Sequence, residues 1–198
     1  MRQLFVDLKG IASAYKRIGL EFYIITSGLQ ELIQGSDFIK DHFSGVYGSQ
    51  LAPDSESGVL RHIKRCVTFT EKTRYLFEIS KGIPLPETMG NPLLVNRYVP
   101  LQSRRIPFRN MIFVGDALTD VPSFSIIKRD GGLTFGVRSS KARMSPKQTL
   151  ESVLSPERPM SIHSPKYDDK SPLGALLRAA VATRCAQIQL EREEIIED

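Results

Sequence analysis

Apolar residues recur along this chain with two periods, and the switches between them outline its elements. Leu4, Phe5, Leu8, Ile11, Ala12 and Tyr15 share one helical face while Arg2, Asp7, Lys9, Lys16 and Arg17 lie elsewhere on the wheel, which predicts an amphipathic helix ending before Gly19. Residues 20–25 then read as a buried strand that ends in Thr26-Ser27-Gly28. A short helical stretch follows at 29–34, closed by Gly35, with Ser27 and Gln30 at capping-box spacing. Residues 36–66 carry weaker signals: a short strand around Val46-Tyr47-Gly48 and the turn cluster 54–58 predict a hairpin-like excursion.

From Thr70 the pattern sharpens into a threonine-capped helix over 71–81, with Tyr75, Leu76 and Ile79 on one side and Gly82 as its stop. Prolines at 84, 86, 92, 100 and 107 predict a long loop or small insertion over 83–108. Residues 111–114 form a second buried strand, turned at Gly115 and followed by a helix that opens at Val121-Pro122 and runs to about Arg129. A further short strand covers 133–137. Residues 139–172 are rich in Ser, Pro and Lys, with Ser-Pro pairs at 145, 155, 164 and 171, and read as a partly disordered linker in which 159–162 returns as an edge strand. Ser171-Pro172 opens a last helix, 173–198, whose stripe of Leu173, Leu176, Leu177, Ala180, Val181, Cys185 and Ile188 packs on the core and whose acidic tail frays.

Composition narrows the partners. A chain of 198 residues supports one domain with a sizeable core, or one domain and a tail. Cys66 and Cys185 have no metal-site spacing, which suits reduced thiols in a cytoplasmic protein, and no apolar run reaches membrane-spanning length. The net charge of +5 is scattered, favouring small anions over a nucleic-acid groove, and no DNA- or RNA-binding motif is present. Oligomeric state is left open.

Three places carry candidate chemistry, and each has a purely structural alternative. Thr26 stands at a strand's carboxyl end beside a helix start, where free N–H groups favour an anion such as phosphate; a packing or capping threonine is the other reading. Lys72 puts a cation in a first helical turn, against the dipole, which a bound anion would offset; the alternative is a solvated lysine balanced by Glu71. Asp116 and Asp120 follow a strand and Gly115, a placement that suits a hard cation held by oxygen, against a turn aspartate and an N-cap aspartate. His62 lies in a basic stretch and reads as solvent-exposed.

In this order the motifs resemble those of the haloacid dehalogenase-like (HAD) hydrolase superfamily, in its phosphoserine-phosphatase-like branch. The resemblance runs from residue 1 to about 137. It implies a Rossmann-like, doubly wound α/β core over 1–138, with the specificity-setting cap missing or reduced to the excursions at 49–66 and 83–108. It also implies that Thr26 (or Ser27, one register on) with Gly28 binds the phosphoryl group and that Lys72 neutralises charge there. The resemblance further implies that Asp116 contacts Mg²⁺ directly and that Asp120 helps hold it. The paired aspartates favour a phosphatase acting on a small phosphorylated substrate, since phosphoryl transfer uses a divalent ion to neutralise the phosphate oxygens.

One departure bears on activity. The family's nucleophilic Asp-x-Asp motif, at the end of the central strand, has no match ahead of Thr26: Asp7 follows Leu4-Phe5-Val6, but two positions on stands Lys9, and helical periodicity runs through the segment. The expectation is a partial core whose central strand is missing, leaving the strands that end at Thr26 and Gly115 to pair directly or to keep unpaired inner edges. Two functions follow: a Mg²⁺-dependent phosphomonoester hydrolase lacking its nucleophile in this chain, or a catalytically silent metal- and phosphate-binding module.

Overall fold

The computed structural model describes residues 2–84, 91–116, 118–138 and 159–194. Predicted features at Ala117, in most of the linker (139–158) and in the tail (195–198) lie outside them. The described residues form a mixed α/β structure with two three-stranded sheets. In the first sheet β1 (Tyr23–Leu29) pairs parallel with β2 (Gly45–Pro53), and β2 turns back into antiparallel β3 (Leu60–Arg65). In the second, β4 (Ile112–Gly115), β5 (Leu133–Val137) and β6 (Ser161–His163) are all parallel. Helices α1 (Arg2–Ser13), α2 (Gln30–Gln34), α3 (Asp37–His42), α4 (Phe69–Lys81), α5 (Val121–Arg129) and α6 (Pro172–Glu194) complete it.

Helices cover the sheets in two layers. On one face, Leu4, Leu8 and Ala12 of α1 interleave with Leu173, Leu177, Ala180 and Val181 of α6 over Ile112, Val114, Leu133 and Phe135, and Phe22, just ahead of β1, joins the same cluster. On the other, Tyr75, Leu76 and Ile79 of α4 and Ile127 of α5 cover Tyr23, Ile25, Tyr47 and Phe113. Consecutive residues of β4 thus serve opposite layers, as strand alternation requires, while β1 contributes Tyr23 and Ile25 to the α4–α5 layer.

The two halves also run the same way. Arg105, ahead of β4, ion-pairs with Glu21 and reaches the Tyr23 hydroxyl at the start of β1, beside Gly82 at the carboxyl end of α4. At the opposite end of α4, Lys72 meets Asp120, just past β4. Both strands therefore advance from the carboxyl end of α4 towards its amino end. Yet β1 and β4 are not paired with each other, and residues 23–26 and 112–114 are only half-buried. The inner strands of a parallel sheet are ordinarily covered on both faces and both edges. Of the two expected outcomes for a core without its central strand, direct pairing does not occur.

Several local expectations are corrected. Ser27 is not a helix cap: β1 continues through it to Leu29, which takes the N-cap position of α2 without a side-chain hydrogen bond, and the Ser27 carbonyl instead accepts from Ser49 Oγ (2.9 Å). Pairing of Leu29 with Ser49 is what extends the strand beyond its apolar run. Thr68, not Thr70, occupies the N-cap position of α4, again with no side-chain cap. The excursion at 36–66 contains α3, whose Phe38 and His42 pack with Phe43 around Phe5 of α1. Its second half is the hairpin expected, turned by Asp54, whose Oδ1 accepts from the N–H groups of Glu56 and Ser57. The described part of 83–108 is loop with short 3₁₀ turns. β6 forms the edge expected near 159–162, and α6 begins at Pro172, where the Gly174 N–H donates to Ser171 Oγ (3.1 Å).

Candidate functional site

Polar side chains gather at the carboxyl ends of β1 and β4, on both sides of the gap between the half-sheets. Thr26, expected at a strand's carboxyl end, is instead the middle residue of β1; its Oγ1 accepts from the Gly28 N–H (3.1 Å), while Ser27 and Gly28 are exposed. The turn is fixed from behind. Buried Gln30 accepts through Oε1 from the Gly48 N–H (3.3 Å) and from Arg65 Nη2, while Arg65 Nε donates to the Gly48 carbonyl (3.0 Å). Gly48 is required there, because a Cβ would stand 2.9 Å from the Gly28 carbonyl oxygen. Arg65 also lies over the Tyr75 ring, one turn along α4 from Lys72, which brings the Thr26 turn to the amino-terminal half of that helix.

Lys72 is neither solvated nor balanced by Glu71, which pairs with Arg74 instead (3.3 Å). Its side chain is 8% exposed and Nζ donates to Asp120 Oδ1 (2.7 Å) and Thr119 Oγ1 (3.0 Å). Asp120 uses its other oxygen as well: Oδ2 accepts from the Asp116 backbone N–H (3.0 Å). Gly115 makes this possible, since a Cβ there would meet Asp120 Oδ2 at 2.6 Å. One buried carboxylate therefore fixes a cation from α4 and the loop that follows β4. The Asp116 side chain, by contrast, is exposed. Tyr167, from the segment after β6, packs against the α1–α6 core, and burial, with a smaller contribution from the Asp116 carboxylate, pushes its hydroxyl above its ordinary range.

The donors divide unequally as a cation site. Asp116 offers a carboxylate to solvent, whereas the two oxygens of Asp120 already accept from Lys72 and the Asp116 N–H. Among the described residues no group of three or more His, Cys, Asp or Glu side chains could hold a metal ion. Of the two aspartates, Asp116 alone has an exposed side chain, and Asp120 is bound to the backbone N–H behind it.

Asp7 stands apart. It lies within α1 and accepts from Arg178 of α6 (2.7 and 3.1 Å) and from Gln3 (2.7 Å), and these bonds, Gln3 first, hold its carboxyl below the usual aspartate range. A helical residue tied into a helix–helix contact is not at a strand end, so its superficial likeness to a nucleophile position is set aside. His62 is exposed, 3.7 Å from Asp54.

Arg65 and Thr119 join the site without having been singled out, and Gln30, expected only as a capping-box residue, holds Gly48 and Arg65. Thr119 lies within the stretch that carries Asp116 and Asp120, but the partners of Arg65 are fixed only by tertiary contacts, since it has no local pattern.

No family model and no solved structure matches the chain. An uncharacterized protein of Borreliella burgdorferi is 30% identical over 120 residues, a match that covers 54% of this chain and 39% of the relative. The matched region thus spans about two fifths of that relative's length. No helix among the described residues is long and apolar enough to cross a membrane.

Proposed function

We propose that this chain carries the phosphate- and cation-binding portion of a HAD-like, Mg²⁺-dependent phosphomonoester phosphatase. The observation that carries the reading is the chain of contacts from Lys72 through the Asp120 carboxylate to the Asp116 N–H, with the Thr26 turn across the gap. In this reading the Thr26 hydroxyl and the exposed turn at Ser27 and Gly28 receive phosphoryl oxygens, and Lys72 supplies fixed positive charge that needs no reorganisation when anionic charge accumulates. Asp116 is the direct cation ligand. Mg²⁺, when bound, neutralises phosphate oxygens. Asp120 is a positioning residue. Among the described residues no strand-end carboxylate takes the nucleophile's position, so in this reading the described residues bind and do not turn over. The substrate is a small phosphorylated molecule met in the cytoplasm.

A silent binding module is the second reading, favoured by the full use of Asp120 and Lys72 on each other. The two separate in one experiment: hydrolysis of p-nitrophenyl phosphate with Mg²⁺ and with EDTA, alongside calorimetric titration of inorganic phosphate. The phosphatase-portion reading expects no turnover by this chain, and Mg²⁺-assisted phosphate binding that is lost in Asp116→Asn. Metal-dependent turnover abolished by Asp7→Asn would move the nucleophile into α1 and overturn the assignment; phosphate binding indifferent to Mg²⁺ and to Asp116→Asn would leave only the silent module.

A further inference from the structure

Cations collect at the carboxyl end of α4 without a carboxylate to answer them. Lys81, in the last turn, is half-buried, and its Nζ donates to the carbonyl oxygens of Val95 (2.5 Å) and Arg97 (2.8 Å) in the loop beyond. Arg104 lies with its guanidinium 5.8 Å from the centre of the Phe77 ring and 5.5 Å from that of Phe108, and its Nε is buried with no acceptor among the described residues. Lys81 Nζ stands 5.9 Å from the same Phe77 ring, so two like charges share one aromatic side chain. Arg97 brings a third, exposed cation. Arg105 and Arg109, close by in sequence, pair with Glu21 and Glu191, whereas Lys81, Arg97 and Arg104 have no ion pair among the described residues. Carbonyls orient an ammonium but do not neutralise it, and two of them leave one of its three N–H donors over. Burial, and secondarily the charge of Arg104, holds the Lys81 amine below its ordinary value, as expected of a cation short of a partner.

A cavity beside these charges supplies the apolar half of a ligand site. Gly82, left-handed at φ 69°, ends α4 and turns the chain into it. The cavity holds about 290 Å³, at the small end of ligand pockets, and is lined by Lys81, Gly82, Ile83, Leu94, Arg97 and Val99. We infer that it binds a small organic anion, a carboxylate on an aliphatic body, with Lys81 and Arg97 at the charged end and Ile83, Leu94 and Val99 around the body. The cations select the sign of the ligand and the aliphatic wall selects its body. Inorganic phosphate would leave that wall wet, and a neutral alcohol would leave the charges unanswered. Lys81 is nine residues from Lys72 on α4, about 13 Å along the axis, so this cavity is separate from the groups around Asp120 and Asp116. The inference stands whether or not those groups bind phosphate.

The test is a set of NMR titrations of the isotopically labelled full chain with hexanoate, hexan-1-ol and inorganic phosphate, each alone. Hexanoate should shift the amides of Lys81, Gly82, Leu94 and Val99 along one saturable curve in the millimolar range, about tenfold tighter than either other probe at the same amides. Arg97→Gln, at an exposed side chain, should weaken hexanoate by about fivefold and keep the rest of the spectrum. Lys81→Gln should weaken it by about tenfold or more. Equal affinity for hexanoate and hexanol, equal affinity for hexanoate and phosphate, shifts centred away from the cavity, or an affinity indifferent to both substitutions would each overturn the inference. So would a curve that does not saturate by about 20 mM hexanoate. Phosphate bound at Thr26 is read on different amides, so failure here is distinguishable from failure of the phosphatase reading.

Discussion

Replacing Lys72 by methionine isolates the contact on which the candidate site depends. The Lys72 and Asp120 side chains are 8% and 5% exposed, with Nζ 2.7 Å from Oδ1, so Lys72→Met leaves a carboxylate desolvated and short of its cation. Removing one partner of a buried pair costs about 3–5 kcal/mol. Asp120→Asn makes the complementary error: it retains an oxygen for the Asp116 N–H but strands the lysine charge. The double variant holds no charge at all, and methionine and asparagine nearly preserve the volume. Its cost should therefore fall short of the sum of the single costs by about 2–3 kcal/mol, the coupling of neighbours in one network. Urea unfolding followed by far-UV circular dichroism measures all four corners of the cycle. Single losses under about 1 kcal/mol, or strict additivity, would mean that the pair is solvated, and would refute the role given to Asp120 as the anchor of Lys72.

Other consequences follow from individual contacts. Gly115→Ala should destabilise by about 1–3 kcal/mol through overpacking against the Asp120 carboxylate, read by the same denaturation, whereas exposed Gly10→Ala should not destabilise. Leu177→Ala, in the α1–α6 layer, should cost about 2–5 kcal/mol while leaving phosphate affinity intact in calorimetry. Glu21 is held below its ordinary value of 4.5 by the Arg105 hydrogen bond first and the Tyr23 hydroxyl second. A depressed folded-state value means that this stabilisation is present above the unfolded-state pKa and is lost as pH falls through the folded one, so Glu21→Gln should flatten the decline in melting temperature below about pH 4.5. Asp7→Asn should shift the acid limb likewise and leave phosphate binding unchanged, separating the α1–α6 contact from the site.

Much of this arrangement was legible in the residue pattern because it is locally encoded. The apolar run at 111–114, Gly115 and the aspartate pair place a strand, a turn and a helix start without outside help, as do the stripes of α1 and α6. Strand β1 was displaced because its last residues, Ser27 to Leu29, are extended by pairing with β2 and not by their own character. Helix α3 has six residues and no buried side chain, so it leaves almost no periodic trace. Lys72 shows how a local argument can mislead: helix-dipole reasoning set Glu71 against a bound anion, yet the partner is Asp120, 48 residues on. Thr26 was misplaced for the same reason as β1: expected at a strand's carboxyl end, it is the middle residue of β1, which runs on to Leu29. The split sheet could be anticipated only from the resemblance, since no residue in the chain signals what would lie beside it.

The most direct test of the proposed site is its cation edge. Mn²⁺, a paramagnetic stand-in for Mg²⁺, titrated into isotopically labelled chain with inorganic phosphate, should first broaden the amide resonances of Asp116, Thr119, Lys72 and Gly28, and Asp116→Asn should abolish that pattern while keeping the dispersed spectrum of the fold. Broadening centred on Asp54 and His62 in the hairpin, or a pattern at Asp116 that survives the substitution, would contradict the account.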